Sequence, residues 1–408
     1  MKILQINKYH YLKGGAERSY FNTIEILEKQ GHEVAVFSMC HPQNKSTKWS
    51  KYFISNINYH QKQSLWKKIK LAGKMIYNRE AVKNLEKLIK DFQPEVAHLH
   101  NIYHQLSPAI INVLKKHNIP IIMTLHDYKI ICPNYSLFAR GEVYNRCKNG
   151  KFYQCFFDRC IDNLWIKSLL GTIESYWHKK TYQKVDLFIA PSKFLKNKFK
   201  DYGFKGKIVH LPYAVMPYSF DNKTDYEKQD YFLYAGRLSQ EKGVDVLINA
   251  FVKLKNNNLI KLIIVGDGPT KKRLQKLTKK LNVNKKIIFV GHKNKNELFS
   301  LILKAKAVVV PSVWPENLPF SVLEAMSLTK LVICSKIGGL VEMIKNNKNG
   351  LIFSIGDIDE LTNTLENVIK HPELAKKLGQ NARNQVINVY NPENYYQKLM
   401  QYYQEIIK

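Results

Sequence analysis

Several short stretches of this 408-residue chain hold residue types that could bind or move a charged group. The first is Asn7-Lys8-Tyr9-His10-Tyr11-Leu12-Lys13-Gly14-Gly15-Ala16-Glu17, with paired glycines just before a helical pattern. Glycine lets the backbone approach an anion closely, and the N–H groups and dipole of the following helix favour phosphate. The spacing is not G-x-G-x-x-G, which disfavours a nicotinamide site. A tight turn without a ligand fits Gly14-Gly15 equally well. The second stretch, Thr124-Leu125-His126-Asp127-Tyr128, follows a strand-like run. A histidine at the carboxyl edge of a strand projects toward a ligand crevice, and Asp127 could orient it. By spacing alone, His126 as a hydrogen-bonded structural residue is an equal account.

The third stretch, Ala235-Gly236-Arg237-Leu238-Ser239-Gln240-Glu241-Lys242-Gly243, places Arg237 and Lys242 on a strand-to-helix loop. Two fixed cations there could clamp a diphosphate and stabilise it as it departs, although a solvated loop is the plainer reading. Val265-Gly266-Asp267-Gly268-Pro269 ends another strand in a backbone-accessible turn. The last stretch runs Pro311-Ser312-Val313-Trp314-Pro315-Glu316-Asn317-Leu318-Pro319-Phe320-Ser321-Val322-Leu323-Glu324-Ala325-Met326. Pro319 suits a helix's first turn, leaving Glu316 in the loop and Glu324 inside the helix. Carboxylates so placed accept hydrogen bonds from sugar hydroxyls, and a ribose diol is a natural partner for one of them.

These residues need elements to hold them. Short apolar runs alternate with longer helical patterns, which implies parallel α/β construction with helices on both sheet faces. In the first half, strands are expected at Lys2–Ile6, Glu33–Ser38, Val96–His100, Ile119–Thr124, Leu187–Ala190 and Lys207–Leu211. The pattern restarts after Pro212, with five strands expected at Asp230–Gly236, Ile260–Gly266, Lys286–Gly291, Ala307–Pro311 and Leu331–Ser335. Two Rossmann-like domains facing a cleft follow, 1–212 and 213–390, with a hinge over Pro212–Gln229 and a final helix, 391–408, able to pack back across the boundary. Ligands of such sheets bind beyond the carboxyl ends of the strands.

Composition narrows the partners. Lysine and arginine total 64 against 33 acidic residues, a net charge of +31, which attracts anionic lipid or phosphorylated substrates when it is more than compositional drift. No motif with a nucleic-acid mechanism accompanies the charge, so nucleic acid is not expected as a partner. No apolar run is long enough to span a membrane, and the opening strand is too short for a signal sequence; a cytoplasmic protein is expected. Ser64–Tyr77 places Leu65, Ile69, Ala72 and Ile76 on one helical stripe beside Trp66 and several lysines. That pattern suits a helix lying in an anionic membrane interface, or equally one packed on the sheet. Cys132, Cys147, Cys155 and Cys160 cluster in an insert at about 129–165. A structural zinc site, free thiols in a packed loop and a disulfide are all open readings.

Together the motifs resemble the retaining GT-B glycosyltransferases of family 4. The resemblance rests on G-R-L-S-Q-E-K-G (236–243), V-G-D-G-P (265–269), the E-x7-E block (311–326), S-K-I-G-G-L-V-E (335–342), G-G-A-E (14–17) and L-H-D-Y (125–128), and so spans nearly the whole chain. It implies a GT-B fold and transfer of a sugar, with retention, from a UDP- or GDP-linked donor to a lipid-linked saccharide or polysaccharide acceptor. Arg237 and Lys242 would hold the donor diphosphate, helped by the N–H groups of Gly14 and Gly15 and by the turn at Gly266 and Asp267. Glu324 would bind the ribose, Glu316 the transferred sugar's hydroxyls, and His126 would sit near the anomeric centre. No catalytic metal is implied. The family often carries Phe-Gly after the first glutamate, where this chain has Phe320-Ser321. A silent GT-B partner subunit and a nucleotide-sugar epimerase are the competing readings, and the inner face of a bacterial membrane is the expected place of work.

Overall fold

The computed structural model describes residues 1–59, 64–216, 229–255 and 259–407. The expected hinge, Pro212–Gln229, therefore falls largely outside the described residues. Contacts divide the chain into two units, Met1–Arg140 with Tyr144–Ala214 and the helix from Pro392 as the first, and Val215–Asn391 with Gly141–Val143 as the second.

The first unit is built on six strands: β1 (Lys2–Ile6), β2 (Glu33–Phe37), β3 (Val96–Leu99), β4 (Ile121–Thr124), β5 (Leu187–Ala190) and β6 (Ile208–His210). They lie in the order β2-β1-β3-β4-β5-β6, all parallel. Ile3 sits opposite Val34 on one side and Val96 on the other, so the apolar runs stack in register. β3, β4 and β5 are buried along their whole length, as strands covered on both faces must be. The covering helices are α1 (Gly15–Lys29), α2 (Leu65–Ile76), α3 (Arg79–Phe92), α4 (Ile110–Lys116), α5 (Tyr153–Phe157), α6 (Trp165–Tyr182) and α7 (Lys193–Asp201). Local chemistry sets several starts: the Asn78 side chain accepts from the N–H groups of Glu80 and Ala81, and Ser192 accepts from Leu195.

The second unit repeats the plan with β7 (Tyr231–Ala235), β8 (Lys261–Val265), β9 (Ile287–Gly291), β10 (Ala307–Val310), β11 (Val332–Ser335) and β12 (Leu351–Phe353). Their order is β9-β8-β7-β10-β11-β12, one strand more than the sequence pattern announced. Its helices are α8 (Val244–Val252), α9 (Lys271–Lys280), α10 (Lys295–Lys304), α11 (Phe320–Ser327), α12 (Leu340–Met343), α13 (Ile358–Lys370) and α14 (Pro372–Val389). Phe232, Leu247, Phe251, Ile264, Val309 and Leu361 form the centre of one core on one side of the sheet, each essentially fully buried.

The last helix, α15 (Pro392–Ile407), belongs to the first unit. Its buried face carries Tyr395, Leu399 and Tyr403. The Tyr395 hydroxyl lies 2.9 Å from Thr23 Oγ1, and the Tyr403 hydroxyl lies 2.7 Å from His98 Nδ1 while accepting from Gln5 Nε2 at 3.3 Å. Tyr403→Phe keeps the ring and strips both buried partners of a hydrogen bond. An unpaired buried polar group costs about 1–3 kcal/mol, and a loss of unfolding free energy of that size, read from urea denaturation of the Tyr403→Phe protein, is the expected result.

Candidate functional site

In the second unit the sheet reverses winding between β7 and β10, and the crevice at such a switch point is where open α/β sheets hold ligands. The two loops that leave these strands are 236–243, with Arg237 and Lys242, and 311–319, with Glu316. Backbone bonds tie them: Val313 N donates to Glu241 O at 3.0 Å, and Leu238 N donates to Asp267 O of the loop after β8 at 2.9 Å. Glycines permit this closeness. Gly243 has φ 62° and a Cβ there would lie 2.0 Å from Pro311 O; Gly266, at φ 131°, would meet Gly236 O at 1.9 Å. On the other flank, Gly338 lies so close to the Glu316 backbone that its Cβ would be 2.3 Å from the carbonyl oxygen, which accepts from Gly339 N at 2.7 Å.

This packing buries Glu316 and gives it two donors: Lys242 Nζ and Ser312 Oγ each lie 2.6 Å from Glu316 Oε1. Lys242 Nζ also sits 5.1 Å from the Trp314 ring centroid. Glu324, in the second turn of α11, is likewise buried. Arg237 is exposed. Asp267 turns away toward its own turn, its Oδ1 accepting from Gly268 N at 2.7 Å and its Oδ2 pairing with Lys271 at 2.7 Å; these bonds hold its carboxyl below the usual range. The arrangement is two buried carboxylates and two cations at a switch point, with the lysine fixed by one of the carboxylates.

In the first unit β3 and the loops after β3, β4 and β6 hold a column of aromatic rings. His98, His100 and His126 stack with centroids 4.6 and 5.2 Å apart, and Tyr213 continues the stack on His126. The hydrogen bonds assign the protons. Gln5 Oε1 lies 2.9 Å from His100 Nε2, which must donate, so His100 Nδ1 is an acceptor. His126 Nε2, 2.9 Å away, therefore carries a proton, and His126 Nδ1 accepts from the Tyr213 hydroxyl at 2.7 Å. Burial pushes His98 and His126 down to about 3 and His100 well below its usual value, so the whole column is neutral.

The sequence suggested that Asp127 orients His126; it does not. Asp127 Oδ2 accepts from the Tyr103 hydroxyl and Oδ1 from Lys129 N, and His100 and Tyr213 take the orienting role. Gly14 and Gly15 are exposed at the start of α1. Gly14 is extended, and a Cβ there would meet nothing closer than 3.7 Å, so the local backbone does not demand glycine at that position. Beside that turn lie two residues that spacing did not single out. Glu17 is buried, and burial raises its carboxyl above the usual range despite Lys8. Lys8, 3.7 Å from the Tyr103 ring centroid, is brought down to about 8 by burial, with Asp127 and Glu17 opposing the fall.

The cysteine insert contains two pairs. Cys155 and Cys160 form a disulfide, and Cys132 Sγ lies 3.5 Å from Cys147 Sγ. Burial, with Cys147 alongside, pushes the Cys132 thiol well up. Two sulfurs bonded to each other leave only two of the four cysteines as free thiols, fewer than the four thiolates of a tetrahedral zinc site. Among the described residues no group of three or more His, Cys, Asp or Glu is arranged to hold a metal.

Two predictions follow from this geometry. Gly291 has φ 71° but open space around a Cβ, whereas Gly266 combines positive φ with a backbone collision. Gly291→Ala therefore costs only backbone strain of about 1 kcal/mol, and Gly266→Ala costs about 2 kcal/mol more, read as a larger drop in Tm. The second concerns pH. His98 and His10 stay neutral in the folded protein down to about 3 and about 4, against 6.5 for the free side chain. Below 6.5 the unfolded chain binds protons that the folded chain refuses, so stability is full above that value and falls with pH. Urea unfolding at pH 5.5 should show a loss of about 1 kcal/mol per buried histidine relative to pH 7.5.

The family model described as "Glycosyltransferase Family 4" matches residues 13–216, and the model "Glycosyl transferases group 1" matches 218–385. An uncharacterised 42.6 kDa protein in the cps region of Klebsiella pneumoniae is 26% identical over 373 residues, covering 88% of this chain and 91% of its own. The Escherichia coli UDP-Gal:alpha-D-GlcNAc-diphosphoundecaprenol alpha-1,3-galactosyltransferase is 31% identical over 164 residues, 39% of this chain and 41% of its own length. Among solved structures, Anabaena HepE in complex with UDP and glucose superposes with a TM-score of 0.69 over 99% of this chain and 100% of its own, at 17% identity.

Proposed function

Because this chain belongs to glycosyltransferase family 4, we propose that it moves a sugar, with retention, from a UDP-sugar onto a lipid-linked saccharide at the inner face of a bacterial membrane. The observation that carries the reading is the buried Glu316 fixed by Lys242, with Glu324 also buried, at the switch point of the second unit's sheet. The choice of uridine is supported by the UDP bound to HepE, and the lipid-linked acceptor by the name of the Escherichia coli relative.

In this reading Glu324 accepts from the ribose hydroxyls and Glu316 from hydroxyls of the transferred sugar. Arg237 and Lys242 meet the diphosphate, with the turn at Gly266 and Asp267 adding backbone dipoles. The anomeric C1–O bond to phosphate breaks and the charge passes to the diphosphate, where fixed cations stabilise it. The acceptor oxygen forms its bond to C1 on the same face, and its proton leaves with the departing phosphate oxygen. Glu316 is anchored by Lys242 and Ser312, which suits a hydrogen-bonding role better than that of a nucleophile. His126 is a neutral orienting group, since both ring nitrogens are already committed to His100 and Tyr213 and burial lowers its proton affinity.

UDP should raise the Tm of the wild type in a concentration-dependent way, and Glu324→Ala should abolish the shift. Glu316→Gln should keep the UDP shift yet lower kcat for transfer by about a hundredfold or more. The anomeric configuration of the product, read by NMR, decides retention. A well-folded protein unmoved by UDP and GDP alike would overturn the reading in favour of a silent subunit.

A further inference from the structure

Helix α6 is inside out. Its sequence, Trp165-Ile166-Lys167-Ser168-Leu169-Leu170-Gly171-Thr172-Ile173-Glu174-Ser175-Tyr176-Trp177-His178-Lys179-Lys180-Thr181-Tyr182, buries Ser168, Gly171, Thr172, Glu174, His178 and Tyr182, half-buries Leu170 and leaves its other large apolar residues outside. Several of the inward polar groups are paired. Ser168 Oγ accepts from Ile161 N at 3.1 Å, Thr172 Oγ1 donates to Phe152 O at 3.2 Å, and Glu174 pairs with Lys129 at 2.8 Å and His104 at 3.0 Å. The outward stripe is Trp165, Ile166, Leu169, Ile173, Tyr176 and Trp177, with Ile166 74% and Trp177 66% exposed. Soluble helices turn such a stripe inward. A contiguous exposed patch of this kind marks a surface that meets something.

Its neighbours enlarge it. α5 and α2 both pack on α6, and they add Phe157, 61% exposed, and Trp66, 82% exposed. The charge around it is mostly positive. The sole acidic residue of α6, Glu174, is buried, and α2 has none, whereas Lys179, Lys180 and Lys70 are exposed beside the apolar groups. Lys167 is exposed too, paired with Asp162 at 2.5 Å. Arg159 lies 4.3 Å from the Trp165 ring centroid, as an amphipathic cation does at an interface. No helix of the described residues is long and apolar enough to cross a membrane, so contact would be along the helix rather than through the bilayer.

We propose that the outward face of α6 is a docking surface for an anionic lipid bilayer, lying in the headgroup region with its lysines against the lipid charge. A second copy of the chain is a poorer occupant, because a two-fold contact would set these lysines against one another. The inference deepens the reading above by giving the membrane partner a surface; it rests on that reading only for the acceptor, and the test needs neither donor nor acceptor.

The test is flotation of the full chain with phosphatidylcholine vesicles, with and without phosphatidylglycerol. The wild type should float with the anionic vesicles and much less with the neutral ones. Ile166→Ser combined with Trp177→Ser should weaken binding by about tenfold or more, because apolar burial is the main term. Lys179→Glu with Lys180→Glu should lower binding to anionic vesicles alone. An unchanged UDP-dependent Tm shift in both variants shows that they fold and reports on the donor site separately. No flotation of the wild type with either vesicle, or equal flotation of the apolar variant, overturns the assignment. So does a wild-type dimer in sedimentation that the apolar variant abolishes, which would give the face to a second copy.

Discussion

The second unit depends on the close approach of backbone loops at its switch point, where ordinary side chains have no room. Gly243, Gly266, Gly268 and Gly338 each stand where a Cβ would meet a carbonyl oxygen of a neighbouring loop at 1.9–2.3 Å. Because these loops touch through backbone, the positions of Lys242 and Glu316 are set by main-chain geometry rather than by side-chain choice. The ion pair between them is then a consequence of that frame. A carboxylate buried this deeply is costly unless it is paired and hydrogen-bonded, and Lys242 with Ser312 meets the requirement. A ligand phosphate near Lys242 would find its charge already placed and partly desolvated, so little reorganisation is left for the moment of reaction.

The first unit reaches rigidity by a different route, with neutral rings. Three imidazoles stacked within 4.6–5.2 Å could not all carry charge, and burial keeps them uncharged while the chain of bonds from Gln5 through His100 to Tyr213 fixes the tautomers of His100 and His126. The column makes His126 the outermost member of a network rather than a lone side chain on a loop.

How far the sequence reveals this differs from residue to residue. The strands were legible because a parallel sheet covered on both faces needs unbroken apolar runs, and Ile121–Thr124 or Leu262–Val265 can be little else. β12 escaped because three residues after an Asn-Gly turn give no period to detect. The cation and carboxylate positions were legible as motifs, and the reason for their glycines only became visible once the carbonyl facing each one was in place. Asp127 misled because adjacency in sequence puts it beside His126, while in the bend after β4 its carboxylate is taken up by Tyr103 and Lys129 N instead. The membrane pattern was sought on α2, where apolar residues follow a helical stripe. On α6 the same spacing reads as an ordinary buried face, and only burial shows which side is turned out.

The first unit also has a history imposed by its connectivity. Gln5 and Tyr403 bond across 398 residues of chain, while the second unit is almost entirely one continuous stretch, 215–391. At the usual pace of synthesis, roughly 20–80 s separate the emergence of β1 from that of α15. Through that interval His98 and Gln5 lack the tyrosine that covers them, and Thr23 lacks Tyr395. The portion of the chain made later can thus close before the portion made first is complete, reversing the order in which successive domains ordinarily finish.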